Sequence, residues 1–415
     1  MSTHDTGEAD DAAAPLAAQF DIVVVGGGPV GACVAALLVR GAGYPSGTVA
    51  LLERERPACP RGGEPLDLRV SAFSRASERV LAAAGAWAAI AAERVGPYER
   101  MRVWHASAAP DSAAVLEFDA ADVAEPNLGH IIENRRVQHA LLEAFERAGG
   151  RVIAATLSDV RLEAARALLV TDQGTLGARL VIGADGARSL VREFAGIASA
   201  MSDYQQSALV CVVASERPHG RTARQRFLGD GTLALLPLPD GTCSVVWSLP
   251  TAAAQRLRAA PAEMFAADIT AASAHALGGL QLRGERLVLP LQRLSAAHYV
   301  RERCALIGDA AHVVHPLAGQ GVNLGLLDAA ALAEALAQAR LEGEDPGALR
   351  VLRGYERRRK GENELMSAAI DAFNRLLATG SGPLSRLAQN GLGLVNRSQF
   401  AKRLFIEQAL GTAGG

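Results

Sequence analysis

Three glycines and one carboxylate are the first residues in this chain whose spacing can do chemistry. Gly26-x-Gly28-x-x-Gly31 follows the apolar, β-branched run Asp21-Ile-Val-Val-Val25. Residues 32–40 beyond it contain neither Gly nor Pro and suit a helix, which Gly41 and Gly43 end. In such a loop Gly26 permits the tight turn, Gly28 lets backbone approach a pyrophosphate, and Gly31 lets helix and strand pack closely. The helix N-terminus adds free amides and partial positive charge for the phosphates. Glu53 comes 22 residues after Gly31, at the end of a second apolar strand over 48–52. There it can accept hydrogen bonds from adenosine ribose hydroxyls, which suits FAD or NAD and argues against a 2′-phosphate. With 42 glycines in the chain the spacing alone would be weak; the strand before it and the helix after it make it specific.

Two more glycine-bearing loops follow apolar strands. The first is Gly183-Ala-Asp-Gly-Ala-Arg-Ser189, after a strand over 178–184. The second runs from Gly308-Asp309 to Gly325, after a buried-strand pattern over 304–307, and leads into a helical stretch. Its free amides at Gly321, Val322 and Asn323 can face an electron-rich edge of a ring system, and Asp309 can bind hydroxyls of a linker chain. His312 and His315 in this loop have no carboxylate partners at metal-ligand spacing, so no metal site is expected. For His315, a structural hydrogen bond and an acid–base contact near a ring system both stay open.

The elements that must position these loops form a β-α-β unit at the start, further apolar strands at 152–155 and 178–184, and helical stretches at 141–148 and from 324 onward. Strand-like runs at 208–214, 232–238 and 243–249 alternate with turns, the pattern of an antiparallel sheet. A long Arg/Glu-laced helix is expected over 350–377 despite Gly354 and Gly361, and an amphipathic segment over 384–410. The 415 residues suggest two domains plus a tail. A charge of −2 gives no basic field for nucleic acid, and Lys360 and Lys402 are the only lysines. Five scattered cysteines form no disulfide framework. No apolar run is long enough to span a bilayer, and the acidic, Ala-rich start is not a secretory signal.

In this order the three motifs resemble the class A FAD-dependent aromatic monooxygenases, the para-hydroxybenzoate hydroxylase fold, from about residue 20 to about residue 375. A closer similarity is to the ubiquinone-biosynthesis hydroxylases. It is carried by Asp67-Leu-Arg-Val-Ser-Ala-Phe-Ser-Arg-Ala-Ser77, Ile132-Glu-Asn134, the loop over 316–325, Tyr355-Glu-Arg-Arg-Arg-Lys360 with Asn363, and Asp371-Ala-Phe373. The resemblance implies an α/β fold with an α+β insert: a Rossmann-like FAD-binding domain over 20–195 and 285–345, and an inserted, mostly antiparallel sheet domain for substrate over 196–284. It also implies a helical C-terminal region over 346–415; residues 1–19 are expected to be a disordered leader.

By the same resemblance Gly26, Gly28, Pro29, Gly31, Glu53 and Arg54 hold the ADP half of FAD, and Arg69 approaches its phosphates. Asp185, with Gly186 and Arg188, lies near the pyrophosphate and serves nicotinamide nucleotide use. Asp309 meets the ribityl chain. Pro316, Gly319, Gly321, Val322 and Asn323 lie against the flavin ring, with Asn134 near it. His315, where many relatives carry Asn, and Pro316 are the implied catalytic residues. The implied reaction is ring hydroxylation of a prenylated phenol in ubiquinone biosynthesis, using NADPH (or NADH) and O₂ through a flavin C4a-hydroperoxide. Cofactor chemistry of this kind needs no triad or metal. Hydroxylation of another small aromatic compound, or a flavin-binding scaffold role in a biosynthetic complex, are the alternatives. The expected location is cytoplasmic, with peripheral inner-membrane docking, a ubiquinone-biosynthesis complex and a homo-oligomer as partner expectations; the segment 384–410 is either a packed helix or that docking element.

Overall fold

The apolar run before the first glycine loop becomes the centre of a mostly parallel sheet. The computed structural model of the chain describes residues 16–60, 63–315 and 320–378. In the sheet the strands lie in the order Val300–Arg301, Cys304–Leu306, Gly174–Gly183, Leu16–Val25, Val49–Leu52, Arg151–Ile153. Leu16–Val25 pairs in parallel with both neighbours, placing Val25 opposite Gly183 on one side and Leu52 on the other. Ile22, Val23 and Val24 are fully buried, which is why the strand reads as a continuous apolar run rather than an alternating one. This strand begins at Leu16, inside the stretch expected to be a disordered leader, because Leu16 and Gln19 pair with Thr175 and Gly177. The helix Pro29–Arg40 buries Ala32 to Leu38 beneath the helices Asn134–Arg147 and Gln320–Leu341.

A second, largely antiparallel sheet of eight strands stands beside the first. Its centre comes from Ser199–Ser215, Thr222–Leu228, Gly231–Pro237, Cys243–Pro250 and Leu280–Ala296. Its reach exceeds residues 196–284, since Arg100–His105 and Leu116–Asp119 complete one edge and His312–Val313 the other. Arg100–His105 joins Thr222–Leu228 in parallel, a pairing across more than a hundred residues that no local pattern signals. Two helices also interrupt the expected run of strands, Thr251–Ala259 and Ala262–Ala272. Both segments are rich in alanine, the strongest helix former. Leu257, Phe265 and Ile269 cover one sheet face, packing on Leu209, Val245 and Trp247.

The opposite sheet face turns toward the nucleotide-loop elements. Val212 and Leu236 pack with Ala72 and Ile131, while Val103 and Phe227 pack with Val314, Leu324 and Ile370. A small third sheet, Val70–Ser74, Gly129–Glu133 and Gly96–Tyr98, lies alongside. The helix Leu349–Ala378 runs unbroken through Gly354 and Gly361, where an added Cβ would meet only open space.

Candidate FAD site

Three backbone hydrogen bonds bring the three motifs to one edge. Gly26 N–H donates to Leu52 O (2.9 Å), Ala184 N–H to Val25 O (2.8 Å) and Ile307 N–H to Gly183 O (3.0 Å). Gly26, Glu53, Asp185 and Gly308-Asp309 therefore all leave the carboxyl ends of adjacent strands, where α/β sheets bind ligands. Gly26 adopts φ +99°, and a Cβ there would lie 2.5 Å from Ala184 O. A Cβ on Gly31 would lie 2.0 Å from Gly26 O, so the first helix can start only where residue 31 lacks a side chain. Val30 sits between Gly308 and Gly325, tying the first loop to the third.

Gly28 behaves differently. A Cβ on it would meet nothing within 4 Å, and it caps the helix without any side-chain acceptor, with Pro29 at the first helical position. The Val30 and Gly31 N–H groups at the helix start have no intrahelical acceptor, and Gly28 beside them borders open space, a cradle suited to a pyrophosphate. Glu53 stands at its rim, accepting the Gly27 N–H at 2.6 Å while half-exposed. Arg54 and Arg69 are exposed. Asp309 is reached by solvent although protein crowds it on most sides, as a residue on the floor of a cleft must be. That crowding raises its carboxyl above the ordinary range, with His312 pulling the other way.

Other named residues are committed to protein contacts. Asp185 accepts from Ser189 Oγ (2.5 Å) and Val191 N–H (3.2 Å), holding the short helix Leu190–Phe194. Asn323 donates to Ala72 O (2.8 Å) and accepts from Ser74 N–H (3.0 Å) and Ser77 Oγ (2.6 Å). Its side chain thus stitches the third loop to the strand Val70–Ser74, while Gly321, Val322 and Asn323 occupy the first turn of Gln320–Leu341. Asn134 receives no protein donor at its buried Oδ1, although its N–H bonds Arg69 O at 3.0 Å. An orphaned buried acceptor beside the Arg69 segment fits a polar ligand there. His315 is 1% exposed with both ring nitrogens unpartnered. Pro316 and Gly319 lie outside the described residues.

Two supports were not anticipated from sequence. Asp328, fully buried, accepts from Gly308 N–H (3.1 Å), His312 Nε2 (2.5 Å), Arg359 Nε (2.8 Å) and Asn363 Nδ2 (3.0 Å). Burial alone would raise its carboxyl, but His312 and Arg359 outweigh burial and hold it at about 2. Tyr355 Oη adds a bond to Leu306 O (2.8 Å), so the long C-terminal helix anchors the strand that delivers Asp309. The signal was a lone carboxylate in the apolar run 324–333, matched by an arginine in the Tyr355–Lys360 motif. The second support is Arg94, which grips both oxygens of buried Glu133 (2.7 Å each) and the carbonyls of Glu64 and Pro65. It holds the segment carrying Arg69. Among the described residues no group of His, Cys, Asp and Glu could hold a metal ion.

The family described as "FAD binding domain" matches residues 19–367. Ubiquinone hydroxylase UbiL of Rhodospirillum rubrum is 38% identical, across 98% of this chain and 91% of its own length. The chain belongs to the ubiquinone-hydroxylase family of class A FAD-dependent monooxygenases. Within that family, 3-demethoxyubiquinol 3-hydroxylase of Escherichia coli is 36% identical over 94% of this chain and 98% of its own length. The p-nitrophenol 4-monooxygenase PnpA of Pseudomonas putida superposes on this monooxygenase with a TM-score of 0.73, at 22% identity, covering 96% of this chain and 100% of that one, a likeness of fold. The cofactor is therefore FAD, and the open cradle at Gly28 and the orphaned acceptor at Asn134 fit it. NAD(P)H as the reductant is the family's habit.

Proposed function

We propose that this monooxygenase hydroxylates the aromatic ring of a prenylated phenol in ubiquinone biosynthesis, using NAD(P)H and O₂. Similarity across nearly the whole chain to relatives named for ubiquinone-pathway hydroxylation supports the substrate class. The observation that carries the chemistry is the meeting of all three motifs at one sheet edge, with Val314 and Leu324 of the third motif packed on Val103 and Phe227 of the second sheet. Bound FAD, once reduced, supplies the activated oxygen that the ring takes up.

The chain's own residues hold, orient and dry the site. In this proposal Gly26, Gly28, Pro29, Gly31, Glu53 and Arg54 hold the ADP half, with Arg69 and Asp185 near the phosphates and Asp309 on the ribityl hydroxyls. Asn134, the loop residues Pro316 and Gly319, and the helix start at Gly321, Val322 and Asn323 border the ring, with His315 beside them. In the same proposal the FAD domain takes 20–195 and 285–345 and the substrate domain 196–284, the latter's sheet borrowing Arg100–His105, Leu116–Asp119 and His312–Val313 from the former, and the helical region starts at 346. Apolar side chains on the inward face of the second sheet would exclude water from the reacting centre, which suppresses loss of the activated oxygen. A lipid-soluble tail would bring the enzyme to the inner membrane surface or into a biosynthetic assembly, as a peripheral and oligomeric protein. Among the described residues no helix is long and apolar enough to cross a membrane, and the segment 384–410 falls outside them.

Quinone-intermediate mass spectrometry on a deletion strain tests the proposal. Ubiquinone should fall and a prenylphenol precursor accumulate; unchanged ubiquinone with no precursor would reject it.

A further inference from the structure

One side chain in the site carries an unmet bonding demand. His315 is 1% exposed, yet neither ring nitrogen has a hydrogen-bond partner. Burial pushes its imidazole down to about 4, with only Asp371 pulling upward, so the ring is neutral at pH 7. A neutral imidazole has one donor and one acceptor, and leaving both unmade in a dry interior is costly. Each such atom in a native protein calls for an explanation, and beside a binding site a bound ligand that supplies the missing partner is one.

Its neighbour Tyr204 is placed with unusual effort. The strand Ser199–Ser215 loses register between Asp203 and Ser207, and Gln205 takes φ +55°, held by its N–H on Asp203 Oδ1 (2.6 Å). Bulges and positive-φ residues of this kind re-aim side chains at functional sites. The bulge presents the Tyr204 ring edge-on to His315, centroids 5.0 Å apart at 86°. Tyr204 Oη donates to Asp371 Oδ1 (2.7 Å), and Arg293 pairs with Asp371 Oδ2 (2.8 Å). The tyrosine also packs in the partly buried apolar group of Leu68, Val246, Leu287 and Leu289 on the inward sheet face. A polar, unpaired imidazole thus borders an apolar surface that solvent still partly reaches, the arrangement that a phenol with an apolar substituent would complete.

We propose that His315 is the hydrogen-bond anchor for the phenolic oxygen of the substrate, and that Tyr204, clamped by Asp371 and Arg293, is the positioning residue that sets its ring plane. The assignment rests on the phenol-hydroxylase reading above and specifies which residue reads the hydroxyl. It gives the Asp371 motif a role, since Asp371 fixes Tyr204 and through it the imidazole.

The test uses the full-length, FAD-loaded protein titrated with 2-prenylphenol and with its methyl ether, following the flavin absorbance change. Wild type should bind the phenol about fivefold to tenfold more tightly than the ether, the worth of one buried neutral hydrogen bond. His315→Leu should bring the ratio close to one with the ether affinity little changed, and His315→Gln should restore part of it. A wild-type ratio near one, or a ratio preserved in His315→Leu, overturns the anchor while leaving phenol hydroxylation standing. Wild-type flavin that responds to neither probe overturns the substrate class itself, and the anchor with it. Should His315→Leu fail to retain FAD, Tyr204→Leu and Tyr204→Phe decide the matter. The first should lower the ratio severalfold, and the second, which keeps the ring but loses its bond to Asp371, should fall between wild type and Tyr204→Leu; a wild-type ratio in both overturns the positioning role.

Discussion

Replacing Asp328 with Asn removes a negative charge from a place that water does not reach. Arg359, itself 4% exposed, then keeps its positive charge with Asn363 Oδ1 and the outward-facing Glu362 as remaining partners. Breaking a buried ion pair by removing one member costs roughly 3–5 kcal/mol, because the surviving charge is left uncompensated. The depressed acidity of Asp328 alone corresponds to about 2 kcal/mol at neutral pH, less than that range because it leaves out the cost of the orphaned arginine charge. At an unfolding entropy of roughly 2.1 cal/mol/K per residue, a chain this size should lose about 3–6 °C in Tm. FAD should also loosen, since the Gly308 amide loses its carboxylate acceptor next to Asp309. Differential scanning calorimetry at pH 7, with FAD release followed by fluorescence, measures both. The double variant Asp328→Leu with Arg359→Met removes both charges and should recover much of the lost stability, since apolar replacement of a buried pair is often neutral. Asp328→Asn melting within about 1 °C of wild type with FAD retained would refute the argument that this cluster holds the third loop.

Gly31→Ala should purify largely without flavin, because its Cβ would overlap Gly26 O; a normal ratio of flavin to protein absorbance would contradict this. Arg94→Met leaves the 1%-exposed carboxylate of Glu133 without its arginine and should cost about 3 kcal/mol, with faster hydrogen exchange over residues 64–69; unchanged exchange there would mean that Arg94 does not hold that segment. Burial pushes His315 to about 4, and burial followed by Arg75 pushes His130 to about 4, both from an ordinary 6.5. Because the folded state disfavours their protonation, the stability they preserve is complete above pH 6.5 and is lost as pH falls toward 4, on the order of 3 kcal/mol for each. Thermal melts from pH 7.5 to 4.5 should show that decline, and a flat profile would count against it.

Much of the nucleotide half was legible in the chain because its signals are local. A continuous apolar strand, glycines at fixed spacing and a helix start lie within some fifteen residues, and each glycine answers a steric demand made by its immediate neighbours, as Gly31 does for Gly26. The carboxylate roles were harder to read. Asp185 looked like a ligand-facing group, and the structure commits it to Ser189 and Val191, although nothing in its motif separates capping a helix from meeting a ligand. Asn323 was read for its amide, while its side chain bonds residues up to 251 positions away.

What the sequence determined by itself was the existence of three loops, each following an apolar strand, together with the family they resemble. Tertiary structure alone decided that the loops share one edge, that Arg100–His105 crosses into the second sheet, and that Asp328 gathers His312, Arg359 and Asn363 beneath Gly308. The reason is physical. Backbone turns and strand burial depend on residue type and close spacing, whereas the partner of a buried charge, or of an unpaired imidazole such as His315, depends on which distant surfaces the core brings together.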